Sequence, residues 1–115
     1  MIVNEKIYKP EDDEGVLAFV SRVINEQSNC KPLRIVEQLV EIAVGELKGR
    51  PCDISVAVSD KRMKVAICHS GKPINERMVW LMADHTDRVD YHADGDNSWK
   101  LLIRRDIPSL SVTRR

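Results

Sequence analysis

Two side chains capable of acid–base or ligand-binding chemistry stand beside clear structural signals in this sequence. His69 ends a run of alternating apolar residues and directly precedes the turn-forming segment 70–73, Ser-Gly-Lys-Pro. Glu41 lies inside an apolar pattern of helical spacing. A histidine at the end of a strand could contact a ligand. No serine or cysteine nucleophile motif accompanies His69, so a structural role as a polar cap on the hairpin is favoured. For Glu41, a place on a solvated helix face is favoured over catalysis.

The segment from His85 to Asn97 has the composition of a metal site. It reads HTDRVDYHADGDN, with His85, His92 and four aspartates, and Asp84 precedes it. Zinc binds histidine and aspartate, and calcium binds several carboxylates. However, the aspartates do not follow the EF-hand order, and the histidine spacing matches no closed zinc site. We therefore predict no metal and interpret residues 85–97 as an exposed polar loop.

The two tryptophans, Trp80 and Trp99, are candidates for a protein interface. Each lies in a mixed polar neighbourhood. A partly exposed tryptophan often anchors a protein–protein interface. Burial in the core is at least as good an interpretation for either residue.

Apolar periodicity predicts the elements that hold these residues. In chain order they are a short edge strand within 1–10, a helix from 16 to about 27, a helix from 32 to 48, strands around 52–58 and 63–69, a short helix capped by Asn75, a strand from 98 to 104, and a tail that could add another short strand. This order predicts an α+β protein: a two-layer sandwich with helices on one face of a mainly antiparallel sheet. We expect residues 1–115 to form a single domain. The predicted core contains Leu39, Val40, Ala43, Val56, Val65, Ile67, Leu101 and Ile103.

Composition excludes several classes of function. The 115 residues carry 18 basic and 18 acidic side chains, so no net charge draws the protein to nucleic acid or to an anionic membrane. No apolar run approaches the roughly 20 residues of a membrane span, and the N-terminus lacks the apolar stretch of a signal peptide. The three cysteines form no CxxC pair, which suits structural roles in a reducing compartment. We therefore expect a cytoplasmic protein.

Two stretches resemble the ATP-binding domain of the GHKL superfamily, which includes sensor histidine kinases, anti-sigma-factor serine kinases, gyrase-type ATPases and Hsp90. Residues 38–45, QLVEIAVG, lie where that family has its N-box helix, and residues 65–74, VAICHSGKPI, look like its first glycine box. The resemblance implies that Glu41 matches the glutamate that orients water. It also implies that His69 stands at the adenine-reading position and that Gly71 is the glycine of the box. The implied cofactors are ATP and Mg²⁺.

Three departures from the family pattern concern the nucleotide. Gly45 takes the position of the asparagine that helps to hold Mg²⁺, and it has no side-chain oxygen. His69 replaces the aspartate that reads adenine. The segment after Trp80 offers only Gly95 where a second glycine box would cradle phosphates. A chain of this fold would therefore have a degenerate nucleotide site.

These observations favour a non-catalytic protein over an enzyme. The expected function is that of a regulator or adaptor with a GHKL-like fold that binds another protein, such as a transcription or signalling factor, without a cofactor. A homodimer is also left open, and neither membrane nor nucleic acid is an expected partner. The alternative function is an ATP-binding kinase module of the anti-sigma-factor or histidine kinase type. A plain structural or oligomerisation domain of unrelated fold is the third alternative.

Overall fold

The apolar patterns of the sequence form a sheet and a layer of helices packed on one of its faces. The computed structural model describes residues 5–27 and 30–107. Its elements are β1 (Lys6–Tyr8), α1 (Val16–Asn25), a 3-10 helix (Lys31–Leu33), α2 (Arg34–Leu47), β2 (Cys52–Val58), β3 (Arg62–Ser70), α3 (Glu76–Asp84), β4 (Arg88–Ala93) and β5 (Ser98–Asp106). The strand order is β1-β2-β3-β5-β4, and every neighbouring pair is antiparallel. The predicted α+β two-layer sandwich is confirmed.

Alternating burial along the central strands separates the two faces of the sheet. In β3, Val65 and Ile67 are fully buried, whereas Ala66 between them is only half-buried, because successive side chains of a strand point to opposite faces. The register places Val56 beside Val65 and Val65 beside Ile103, so one apolar row crosses three strands. The whole predicted core set is buried, and α1, the 3-10 helix and α2 add Phe19, Val20, Val23, Ile24, Leu33, Val36 and Leu47.

The interpretation of residues 85–97 as a loop is wrong for the central six residues. Residues 88–93 form β4, which pairs along its length with β5: Val89 lies beside Ile103 and Tyr91 beside Leu101. Only two side chains of β4 needed to be apolar, because it is an edge strand with one face open to solvent. A strand so polar carries too weak an alternation to be recognised from sequence. Residues 85–87 connect α3 to β4, and the β4–β5 turn, residues 94–97, contains Gly95 and Asn97 at positive φ.

The helices deviate from the predicted bounds only at their ends. α1 ends at Asn25, two residues before the predicted end. The N-terminus of α2 is preceded by the 3-10 helix in which Pro32 lies, and α2 itself begins at Arg34. β5 continues to Asp106, two residues beyond its predicted end. The expected additional strand beyond residue 107 lies outside the described residues.

The Glu14 carboxylate, which precedes α1, forms a bidentate ion pair with Arg22. The Glu14 carboxylate accepts from Arg22 Nε at 2.8 Å and from Arg22 Nη2 at 2.9 Å, and it also accepts from the Glu11 N–H at 3.0 Å. The hydrogen bond from Arg22 and, after it, the one from Glu11 lower the pKa of Glu14 to about 2. The bidentate pair ties the segment before α1 to the second turn of that helix.

Loss of the Glu14 carboxylate should reduce the unfolding free energy at neutral pH and make that free energy depend less on pH in the acid range. Because the folded-state pKa of Glu14 lies below its unfolded value, the stabilisation is fully present above about pH 5 and is lost as pH falls toward about 2. We expect Glu14→Gln to be less stable than the wild type at pH 7 and to show a smaller decline in unfolding free energy down to pH 3. Urea titrations at both pH values measure this. Glu41→Gln, an exposed carboxylate on α2, is the control and should keep the wild-type decline; an unchanged decline in Glu14→Gln would contradict the assignment.

No helix within residues 5–27 or 30–107 combines the length and the apolar character needed to cross a membrane.

Candidate functional site

His69 lies at the end of β3 and is held by hydrogen bonds on both ring nitrogens. It is buried, with 5% of its surface exposed. Its Nδ1 is 3.1 Å from the Ser70 carbonyl oxygen, and its Nε2 is 2.8 Å from the Tyr91 hydroxyl. Since a carbonyl oxygen only accepts, Nδ1 carries the proton and Nε2 accepts from Tyr91. The Tyr91 oxygen in turn accepts from the Ile74 N–H at 2.8 Å. Both ring nitrogens of His69 therefore already have hydrogen-bond partners within the protein, and neither is left for a ligand.

Aromatic stacking also holds His69 and Tyr91 in place, together with Trp99. The Tyr91 ring lies between His69 and Trp99, with centroid distances of 5.9 Å and 5.3 Å and interplanar angles below 20°. Trp99 is half-buried in this stack. Its contacts favour the packing interpretation over the role of an interface anchor. The cluster connects β3, β4 and β5 at one end of the sheet.

Arg50, which no motif in the sequence singled out, joins the end of α2 to the turn after β3. Its Nε donates to the Leu47 carbonyl at 3.0 Å, and its Nη1 donates to the Ser70 and Lys72 carbonyls at 3.1 and 2.7 Å. Gly71, between those two acceptors, has a φ of +84°, and a Cβ added there would lie 2.9 Å from Arg50 Nη1. The positive φ favours glycine at this position, and a Cβ there would also displace the Arg50 guanidinium.

Gly71 lines a cleft of about 610 Å³ between the end of α2 and the start of α3. The cleft is also lined by Glu46, Lys48, Arg50, Lys72, Pro73 and Asn75. Three cations face one carboxylate, but Arg50 uses Nε and Nη1 on backbone carbonyls. The two exposed lysines are therefore the groups most readily available to an anion.

The structure does not bring the three predicted nucleotide-binding residues to one cleft. Only Gly71 lines the cleft beside α2; His69 lines another, of about 350 Å³, at the ends of β2, β3 and β5. Glu41 is exposed on α2 and lines neither of them. Gly45, one turn further along α2, is exposed as well and has no side chain to offer. A bound nucleotide would have to be read by other groups.

Cys52, Asp87 and Asp90 are further candidates for reactive groups, to be judged by their surroundings. Burial raises the pKa of the Cys52 thiol, and the nearby Asp53 and Cys68 raise it further, so Cys52 is a poor nucleophile at neutral pH. Asp87 accepts from the Asp106 N–H at 2.8 Å, and Asp90 is paired with the Arg88 guanidinium at 2.9 Å. Within the described part of the chain, no three His, Cys, Asp or Glu side chains converge on a point where a metal ion could bind.

α3 presents the most exposed large apolar side chain of the described residues. Asn75 caps the helix by accepting from the Arg77 N–H at 2.8 Å, as its position in the sequence predicted. Met82 is buried on the inner side of the helix, whereas Trp80 is 69% exposed and Leu81 is 42% exposed. These two side chains line a surface depression of about 480 Å³ together with Glu76, Arg77 and Asp84. Only the structure shows that Leu81 faces solvent beside Trp80.

No protein-family model matches the sequence, and no curated protein matches it. The likeness to GHKL domains thus stays a prediction that rests on residues 38–45 and 65–74. The geometry of the described side chains has to carry the functional argument.

Proposed function

We propose that this protein is a cytosolic, non-catalytic regulator or adaptor that binds another protein through α3, on a GHKL-like fold whose nucleotide site is degenerate. The observation that carries the proposal is the exposure of Trp80, 69%, beside Leu81 on the solvent side of a capped helix. Exposing a tryptophan to water is unfavourable, and tryptophan is enriched among the residues that dominate binding energy in interfaces. A transcription or signalling factor is the class of partner that this function implies.

The site residues support the loss of nucleotide chemistry. His69, at the adenine-reading position of the resemblance, is buried and already bonded through both nitrogens. The side of Gly71 that a Cβ would occupy is filled by the Arg50 guanidinium. Gly45 offers no oxygen to Mg²⁺, which requires a nearly octahedral shell of oxygen ligands.

One observation favours the alternative, an ATP-binding kinase module. The cleft beside Gly71 carries Lys48 and Lys72, and cations at such a cleft could face a triphosphate. The Arg50 contacts argue against this alternative, because the guanidinium is used within the protein.

Titration calorimetry with ATP and ADP in the presence of Mg²⁺ separates the two functions. Each missing charged or bidentate contact costs on the order of 1–3 kcal/mol, so the loss of two or more weakens binding by roughly a hundredfold or more. We expect no ATP hydrolysis and no micromolar affinity for either nucleotide, and Gly45→Asn alone should restore neither. Omission of Mg²⁺ is the control for non-specific anion binding to the lysines.

One result would overturn the proposed function. If ATP bound tightly in an Mg²⁺-dependent way, and Glu41→Ala stopped hydrolysis while leaving that binding intact, the protein would be an enzyme.

A further inference from the structure

Four side chains on the solvent side of α3 would match the same four side chains of an identical helix that runs in the opposite direction. We define the α3 stripe as Arg77, Trp80, Leu81 and Asp84, all of which are exposed. An apolar pair lies at its centre, a cation lies toward its N-terminal end, and a carboxylate lies toward its C-terminal end. Read from the other end, the order of charges is inverted around the same apolar centre.

Helical geometry places these four side chains on one side of α3. Arg77 and Asp84 are seven positions apart, close to two turns, and therefore lie on the same side of the helix. Trp80 and Leu81 lie on the two sides of the line that joins these two charges, at spacings of three and four from each charge. The buried Met82 and its half-buried neighbours Met78 and Val79 occupy the opposite side of α3, so the stripe points away from the core.

We propose that the α3 stripe binds the α3 stripe of a second copy of this chain in an antiparallel, two-fold symmetric helix pair. With the axis between positions 80 and 81, each flank of the helix stays on its own side, so Trp80 packs against Trp80 of the second copy and Leu81 against Leu81. Arg77 then faces Asp84 of the second copy, and symmetry forms this ion pair twice. The inference rests on the proposed function, since it concerns the same surface of α3, for which a second copy would compete with the partner protein.

The charges of the stripe have no use within one molecule. Seven residues of helix separate the Cα atoms of Arg77 and Asp84 by about 10 Å along the axis, too far for an ion pair of the intrahelical type. Among residues 5–27 and 30–107, neither side chain has an ion-pair partner. The α3 stripe is matched in position and in sign by its own inverse, which is what favours a second copy.

The size of the helix sets the expected strength of the pair. α3 has nine residues and is about 13 Å long, so the contact falls well below the roughly 800 Å² per partner of a standard stable interface. Contacts of this size form weak, transient complexes. We therefore expect a monomer–dimer equilibrium with a dissociation constant of roughly ten micromolar to one millimolar.

Sedimentation velocity over about ten micromolar to a few millimolar of the full chain tests the pairing by charge exchange. The wild type should shift from monomer to dimer with concentration. Arg77→Asp places two carboxylates opposite one another at both ends of the pair, and Asp84→Arg places two cations there, so each variant alone should stay monomeric. An equimolar mixture of the two single variants should form a heterodimer, and the double variant Arg77→Asp/Asp84→Arg should dimerise again.

Two further variants separate the α3 stripe from other surfaces. Trp80→Ser should abolish the dimer, and it should leave the thermal melting curve unchanged because the side chain is exposed. Lys61→Asp, an exposed charge reversal in the β2–β3 turn, is the matched control and should dimerise as the wild type does.

The results distinguish a failure of the α3 pairing from a failure of the proposed function. A wild type that stays monomeric over the whole range, or a dimer that survives Arg77→Asp, would overturn the pairing. If such a protein also bound no ATP, the adaptor function would stand with a different partner. Tight Mg²⁺-dependent ATP binding would instead overturn the adaptor function, whatever the association state.

Discussion

Val56→Asp is expected to unfold the protein. Val56 is fully buried on the helix-covered face of β2, and its cross-strand neighbour Val65 is fully buried as well. An aspartate there would be charged without a partner or would have to take up a proton, and either state costs several kcal/mol. The whole unfolding free energy of a domain of this size is only about 5–15 kcal/mol. Far-UV circular dichroism and urea titration of the variant should show no cooperative transition at 25 °C.

The next residue along the strand provides a matched control. Ala57 points to the half-exposed face, and its register partner is Lys64. Ala57→Asp introduces the same carboxylate opposite a cation and should change the unfolding free energy by less than about 1 kcal/mol. If Val56→Asp were soluble and melted cooperatively like Ala57→Asp, the assignment of the two faces of β2 would be wrong.

Tyr91→Phe is the second substitution with a large expected effect. The Tyr91 hydroxyl accepts from the Ile74 N–H and donates to His69 Nε2, each at 2.8 Å. Both partners are nearly inaccessible to water, with 4% and 5% of their surfaces exposed. Removing the oxygen leaves two buried polar groups unsatisfied, at a cost of about 1–3 kcal/mol for each group. We expect a loss of about 2–4 kcal/mol of stability in urea titrations.

A second readout distinguishes lost hydrogen bonds from lost packing. The Ile74 amide should exchange its hydrogen with solvent much faster in Tyr91→Phe, because its acceptor has been removed. Tyr8→Phe, the same change on the edge strand β1, is the control and should cost less than about 0.5 kcal/mol. A loss below that size in Tyr91→Phe, with slow exchange of Ile74, would contradict the hydrogen-bond chain.

The long elements could be predicted because the spacing of apolar residues within each segment identifies it as a helix or a strand. α2 repeats apolar residues over four turns, and β2 and β3 alternate around a short polar turn, so the period alone identifies each of them. Asn75 signals the start of α3 because a side-chain oxygen at that place satisfies a free backbone N–H. The fold class follows from the order of these elements.

The candidate site depends instead on residues that are distant in the chain. His69 and Tyr91 are 22 positions apart, and their contact exists only because β5 places β4 within reach of the end of β3. The sequence pattern of β4 was too polar to predict that strand, so the partner of His69 could not be foreseen. Arg50 likewise reaches the carbonyls around Gly71 across 20 positions or more, with no local signal.

The sequence by itself thus determined the helices, the central hairpin, the apolar row and the cap of α3, since each follows from side-chain type and spacing within one segment. Only the tertiary structure decided that His69 is a satisfied internal group and that Arg50 fills the space over Gly71. It also decided that Trp99 packs in an aromatic stack while Trp80 faces solvent. The physical reason is that burial and hydrogen bonding depend on which segments meet, and a pattern within one segment contains no information about its neighbours in space.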